Sequence, residues 1–219
     1  MNTRKRITEA TIRLVLRQGY DKTTIQDIAR EAGLARGTIY TKWQTKADLF
    51  AAILWSESMR YLDTWYSLVE RDPDGGSLHG IYRNALLALR QNPFILALYT
   101  QNRLVVGSFV HEESFAESMN GMVLWNVRWM NLLQEHGLIR HDIDVEATAW
   151  IEVIFRQGLL TMPLDLEAHP HLDYETILDL FFTMVGNFVG THTTLTADAG
   201  KVVLKEYIDA FKAQMPSTD

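Results

Sequence analysis

The twenty residues from Thr24 to Trp43 constrain the fold more than any other stretch of the 219-residue chain. Ile25, Ile28, Ala29 and Ala32 fall at i, i+3, i+4 and i+7, the spacing of one buried helix face. Thr23 with Gln26, or Thr24 with Asp27, supplies a capping-box start. Gly33 stops the pattern, where a tight turn needs positive φ or a close backbone approach. A second short helix is expected over about Ala35 to Thr41. Ala29 is small where the two helices meet, and Ile28, Leu34 and Ile39 are expected to pack beneath. The residues left facing outward are Arg36, Gly37, Thr38, Tyr40, Thr41 and Lys42. Two short helices with a polar, basic outer face make a helix-turn-helix, its second helix narrow enough for a major groove about 12 Å wide.

A net charge of −6 looks wrong for a chain that reads DNA, but the charge is unevenly spread. Residues 1–46 hold ten Lys/Arg against four Asp/Glu, and the remaining 173 residues hold eleven against twenty-three. A basic segment at +6 therefore sits on a body at −12, the asymmetry of a nucleic-acid-binding piece attached to an acidic remainder.

Each outward residue has a use on DNA. Arg36 can fork onto guanine O6 and N7 or grip a phosphate. Gly37 lets the backbones approach. Thr38 and Thr41 can donate to phosphate or touch a thymine methyl, and the Tyr40 hydroxyl and Lys42 are phosphate donors. Thr24, at the start of the first helix, joins this candidate set. So does Lys46, at the start of a further helix whose N-terminus attracts anions. Arg4, Lys5 and Arg6 read as a mobile basic arm, and Trp43 as a core aromatic.

The rest of the chain also reads as helix, with no period-two strand pattern, repeat or low-complexity tract. Ile7 to Gln18 form the opening helix, ended by Gly19. Another helix runs from Thr45 toward Arg71, and Asp72-Pro73-Asp74-Gly75-Gly76 is the clearest break. Helices are then expected over about 78–91, 94–103, 113–136, 145–162, 173–193 and 197–214, with 104–111 ambiguous. The fold class is all-α. A three-helix DNA-binding domain at residues 1–46 precedes a larger helical domain at 47–219.

Between Gly19 and Phe50 the sequence resembles the N-terminal domain of the tetracycline-repressor (TetR) family of bacterial regulators. The residues that carry the likeness are Gly19-Tyr20, Thr23-Thr24, Asp27-Ile28-Ala29, Ala32-Gly33, Gly37-Thr38-Ile39-Tyr40, Trp43, and Thr45-Lys46 before Leu49. Three positions depart from the family pattern. Ala35 stands where a serine often caps the recognition helix, Trp43 replaces a common phenylalanine, and Gln44 replaces a proline or small polar residue. The resemblance implies a homodimer, a recognition helix at about 35–41, and a C-terminal effector-binding and dimerisation domain.

Residues Met59, Leu62, Trp65, Phe94, Phe109, Met122, Trp125, Trp129, Trp150 and Phe155 form an aromatic, methionine-rich set. In the family the corresponding helices surround a ligand cavity, and such walls suit a small, largely apolar or aromatic molecule. An apolar stripe at helical spacing is also ordinary core. Gly158, and Gly186 with Gly190 four residues on, offer flat strips for another helix. By family analogy they belong to a four-helix bundle between two subunits.

The function expected is a ligand-responsive transcriptional regulator, a repressor released from a near-palindromic operator by its effector. A DNA binder governed by a protein partner is the alternative, and an enzyme is not expected. There is no nucleophile elbow or phosphate-cradling glycine loop. His141-Asp142-Ile143-Asp144 and His169-Pro170-His171 hold metal-ligand residue types, but neither completes a site. No cofactor or metal is expected. The absence of cysteine rules out a disulfide framework and fits a cytoplasmic location, and no membrane segment is expected.

Overall fold

A computed structural model describes residues 3–161, 173–191 and 197–214, with side chains throughout except at 113–123, 174 and 175. The helices are α1 (Thr3–Gln18), α2 (Ile25–Ala32), α3 (Arg36–Tyr40), α4 (Lys46–Arg71), α5 (Leu78–Arg90), α6 (Pro93–Tyr99), α7 (Arg103–Val106), α8 (Glu113–Glu135), α9 (Val145–Thr161), α10 (Tyr174–Val189) and α11 (Ala197–Ala213). A 3-10 turn over Gly107–His111 follows α7 and resolves the ambiguous stretch. The described residues hold no strand, only one antiparallel bridge between Ile139 and Gly190. The chain is all-α, as the periodicity predicts.

Local chemistry sets most helix ends. Thr24 and Asp27 form a reciprocal capping box at α2, which decides between the two patterns the sequence offers. Thr23 instead turns its hydroxyl inward, donating to the Gly19 carbonyl at 2.7 Å. A second box opens α4: Asp48 N–H donates to Thr45 Oγ1 at 3.0 Å, and Thr45 N–H to Asp48 Oδ2 at 2.9 Å. Asn92, Asp144 and Asp173 cap α6, α9 and α10 through their side chains. The sequence pattern carries α10 to about Thr193, but the helix ends at Val189. Gly190 turns extended there, and Arg140 N–H donates to the Val189 carbonyl at 2.9 Å.

The chain divides into two compact units: Met1–Arg60 with Asn92–Gly121, and Tyr61–Gln91 with Met122–Asp219. The first is larger than the 1–46 segment expected for DNA binding. Its core is a ring cluster in which Tyr20, Phe50, Phe94 and Phe109 meet at centroid distances of 4.8–5.5 Å. Segment 92–111 is bound into this unit through backbone and side chains. Tyr20 N–H donates to the Val105 carbonyl at 2.8 Å. The Asp21 carboxylate accepts from Ser108 N–H at 3.0 Å and from its hydroxyl at 2.5 Å. Asn92 donates to the buried Glu57 carboxylate at 2.9 Å.

The second unit has its own aromatic core. Trp65 meets Trp129 edge-on, Trp129 and Trp125 each meet Tyr207, and Trp125 packs on Phe211. The Trp65 indole N–H donates to the Ile81 carbonyl at 2.9 Å, which satisfies its polar edge inside the core.

Candidate nucleic-acid interface

α2 and α3 form the helix-turn-helix. Ile25, Ile28, Ala29, Ala32 and Ile39 are buried, and Trp43 joins them at 9% exposure. Gly33 makes the turn at φ +63°, a conformation that costs an L side chain about 1–3 kcal/mol. Arg6 closes the turn from α1, donating to the carbonyls of Ala32 and of Gly33, the latter at 2.9 Å. The three basic residues read as a mobile arm are instead part of the first turns of α1. The acceptors at the end of α2 explain why Arg6 is ordered: helix C-terminal carbonyls lack partners within the helix and attract a cation.

α3 carries the reading face. Ala35 precedes it with no side-chain cap, as the departure from the family pattern implies. Arg36, Gly37, Tyr40, Thr41 and Lys42 are exposed and Thr38 is half-buried. Thr41 Oγ1 donates to the Thr38 carbonyl at 2.8 Å. Arg36 Nη2 donates to the Tyr40 hydroxyl at 3.0 Å. Gly37 has open space: a Cβ built there meets nothing within 4 Å.

The basic residues of this domain are not equivalent. Lys5, Arg13 and Arg30 pair with Glu9, Glu31 and Asp27. Among the described residues, Arg36 and Lys42 pair with no acid. Thr24 is engaged by its own capping box, and its bonds with Asp27 hold that carboxyl below its ordinary value. Lys46 points back into its domain. Its ammonium donates to the Tyr20 carbonyl at 3.0 Å and lies over the Tyr20 ring. Partial burial lowers the Lys46 pKa, with Asp21 and Glu112 opposing the shift. Burial, with Glu112 and Asp21 nearby, pushes the Tyr20 hydroxyl up to about 12.

The expected effector-lining set is divided between the two units. Phe94 and Phe109 are in the ring cluster of the first unit, where Met59 is half-buried. Leu62, Trp65, Trp125 and Trp129 belong to the second unit, the three tryptophans in its ring cluster. Trp150 is 47% exposed, and the Met122 side chain lies outside the described residues. Among the described side chains of the set, Phe155 alone lines a cleft in the second unit, a space of about 640 Å³. Its other apolar walls include Met130, Ile151, Phe181, Met184 and Phe188, with Glu152 the one charged group. Burial raises the Glu152 pKa against the pull of Arg156, with which it pairs at 2.9 Å.

Sequence reading missed these wall residues, although a signal was present. Leu180, Met184 and Phe188 repeat every four residues along α10, and all three are exposed. Ile151, Ile154 and Phe155 are likewise exposed on α9. A second apolar stripe on a helix that already buries another is what the pattern recorded. At Gly158 and Gly186 a Cβ would meet nothing within 4 Å, so packing among the described residues gives no reason for either glycine. Gly190 has one: it ends α10 and bridges to Ile139.

The metal-type runs are engaged otherwise or outside the described residues. Asp142 accepts from Arg140 and Asp144 caps α9. His169 and His171 lie outside the described residues. No helix among the described residues is long and apolar enough to cross a membrane.

A helix-turn-helix with an exposed, unpaired basic second helix defines the first unit as a domain of the DNA-reading class. Residues 7–53 match the bacterial regulatory proteins of the tetR family, and the likeness is to this N-terminal domain. Over 51 residues it is 41% identical to the HTH-type transcriptional regulator AcrR of Shigella flexneri, covering 23% of this chain and 24% of that one. Over 52 residues it is 44% identical to TtgR of Pseudomonas putida, covering 24% and 25%. The chain thus matches about a quarter of the length of these relatives. A TetR-family regulator from Shewanella sp. PV-4 has the same fold at a TM-score of 0.62 and 18% identity, over 88% of this chain and all of that one. The fatty acid degradation regulator FadR of Bacillus halodurans is as similar, at 0.62 and 16%, over 85% and 95%. At these identities the likeness is one of fold.

Proposed function

We propose that this chain is a transcriptional regulator, acting as a repressor, that binds a near-palindromic DNA operator as a homodimer and is released by a small, largely apolar or aromatic effector. The observation that carries the reading is the outer face of α3. Arg36, Gly37, Thr38, Tyr40, Thr41 and Lys42 stand together there, with Arg36 and Lys42 unpaired by any acid among the described residues. Cations left without internal partners are available to displace counterions from phosphate.

The exposed stripes of α9 and α10, with the open glycines Gly158 and Gly186, support pairing with a second copy. A two-fold dimer spaces its recognition helices about 34–36 Å apart, matching one turn of DNA. The apolar cleft is walled by Ile151, Phe155, Met184 and Phe188 of these same stripes, so an effector with little polarity competes there with the second copy. Such a ligand acts only through a difference in affinity between the DNA-competent and the displaced arrangement. The working compartment is the bacterial cytoplasm.

Selection of bound sites from random DNA tests the reading. The expected product is an enriched inverted repeat with half-sites one helical turn apart. A pool that stays unenriched after several rounds overturns it.

A further inference from the structure

Resting on the DNA-reading role of α3, we infer that Tyr40 is a positioning residue for base readout: it holds the Arg36 guanidinium for a guanine in the major groove. Arg36 opens α3 and Tyr40 closes it, at the i, i+4 spacing that places two side chains side by side. Arg36 Nη2 donates to the Tyr40 hydroxyl at 3.0 Å, and the guanidinium carbon lies 5.2 Å from the ring centre. Both residues are exposed, and among the described residues no carboxylate draws the arginine elsewhere. Nothing in the fold of the domain needs this contact. Its effect is to restrict one of the most flexible side chains to a single direction.

The donor count allows both partners a second task. A guanidinium has five N–H donors, and Tyr40 uses one. The remaining donors still include an adjacent pair that forks onto guanine O6 and N7. A tyrosine hydroxyl both accepts and donates. With its oxygen receiving from Arg36, its proton remains for a phosphate oxygen, and donation outward strengthens acceptance from the arginine. Tyr40 thereby ties the base-reading group to the DNA backbone. The open space at Gly37, adjoining Arg36, leaves room for the base edge.

The test is bound-site selection followed by affinities for matched operators, using the full chain and the variants Tyr40→Phe, Tyr40→Ala and Arg36→Ala. Wild type is expected to select guanine at one position in each half-site, preferred about 10- to 100-fold over the other bases, the range of a forked contact. Arg36→Ala erases that preference. Tyr40→Phe, which keeps the ring, is expected to reduce it to a few-fold at that position while other positions keep theirs. Tyr40→Ala loses at least as much. In the Arg36→Ala background, Tyr40→Phe then changes overall affinity alone.

A tyrosine that only grips phosphate weakens all sequences equally. Uniform weakening by Tyr40→Phe with the guanine preference intact therefore overturns the inference. So does the absence of any guanine that depends on Arg36. Failure of wild type to enrich any site is a different result, and it removes the DNA-reading function itself. Unchanged helical content and unfolding temperature in Tyr40→Phe confirm that the comparison is between folded proteins.

Discussion

The Lys46 ammonium lies 3.0 Å from the Tyr20 carbonyl oxygen and 3.7 Å from the centre of the Tyr20 ring. A cation held this way has an internal job, tying the start of α4 to the end of α1. Lys42, just ahead of the Thr45 cap of α4, has no such partner among the described residues.

The two lysines should therefore separate in a binding experiment. Lys42→Ala is expected to weaken binding to all sequences alike and to lower the salt slope of the binding constant by about 1. Lys46→Ala is expected to leave that slope unchanged and to destabilise the domain by about 1–2 kcal/mol, since it strands the Tyr20 carbonyl and removes a cation over a ring. Affinity titrations from low to high salt, beside denaturant unfolding, read both. An equal drop in slope for the two variants would return Lys46 to the phosphate contacts.

Gly37→Ala separates what the fold requires from what DNA requires. A Cβ at position 37 meets nothing within 4 Å, and alanine is favoured over glycine in a helix by about 0.5–1 kcal/mol. The variant should unfold at the same temperature or slightly higher. Its operator affinity should fall about tenfold or more, because the added methyl occupies space that a closely approaching DNA backbone would use. Undiminished affinity would show that Gly37 is not at the contact surface.

Much of this architecture was legible in the sequence, for reasons that differ by element. The α2–turn–α3 unit was readable because its signals are local. The capping pair Thr24 and Asp27 and the positive-φ Gly33 act within a few residues of where they stand. The reading face was legible as what remains once Ile28 and Ile39 are placed inside; Leu34, also expected there, is half-buried in the turn. Lys46 and Arg6 could not be placed this way, because their partners, Tyr20 and the Ala32 and Gly33 carbonyls, lie 26 or 27 residues away. The aromatic set shows a related limit: composition marks Phe94 and Trp65 as large and apolar, but not that one joins the ring cluster of the first unit and the other that of the second.

Asp21 gives the first unit a dependence on acid. Its bonds from Ser108 hold the carboxyl below its ordinary value. A depressed folded-state pKa contributes stability that is present above the unfolded value, about 3.9, and is lost as pH falls through the folded one. Stability should accordingly show no contribution from Asp21 titration between about pH 7 and 5, and should lose the Ser108 link below about pH 4. Asp21→Asn should be less stable than wild type at neutral pH, with the difference narrowing in acid. A constant difference from about pH 7 to 3 would show that the charge on Asp21 is not what holds Ser108.

Met184 and Phe188 are each 66% exposed on α10, one helical turn apart. Glutamate at either position faces water in a lone chain and should change monomer stability by no more than about 0.5 kcal/mol. In a two-fold pairing of α9 and α10, the same charge would be buried without a partner, at a cost of several kcal/mol. Met184→Glu and Phe188→Glu are therefore expected to shift the sedimenting species from dimer to monomer at micromolar concentration. Operator affinity should fall with it, because the second half-site is no longer engaged by a linked domain. Leu104, 85% exposed on α7 in the first unit, supplies the control: Leu104→Glu should remain a dimer. Dimers that persist in both α10 variants would place the subunit contact on another face.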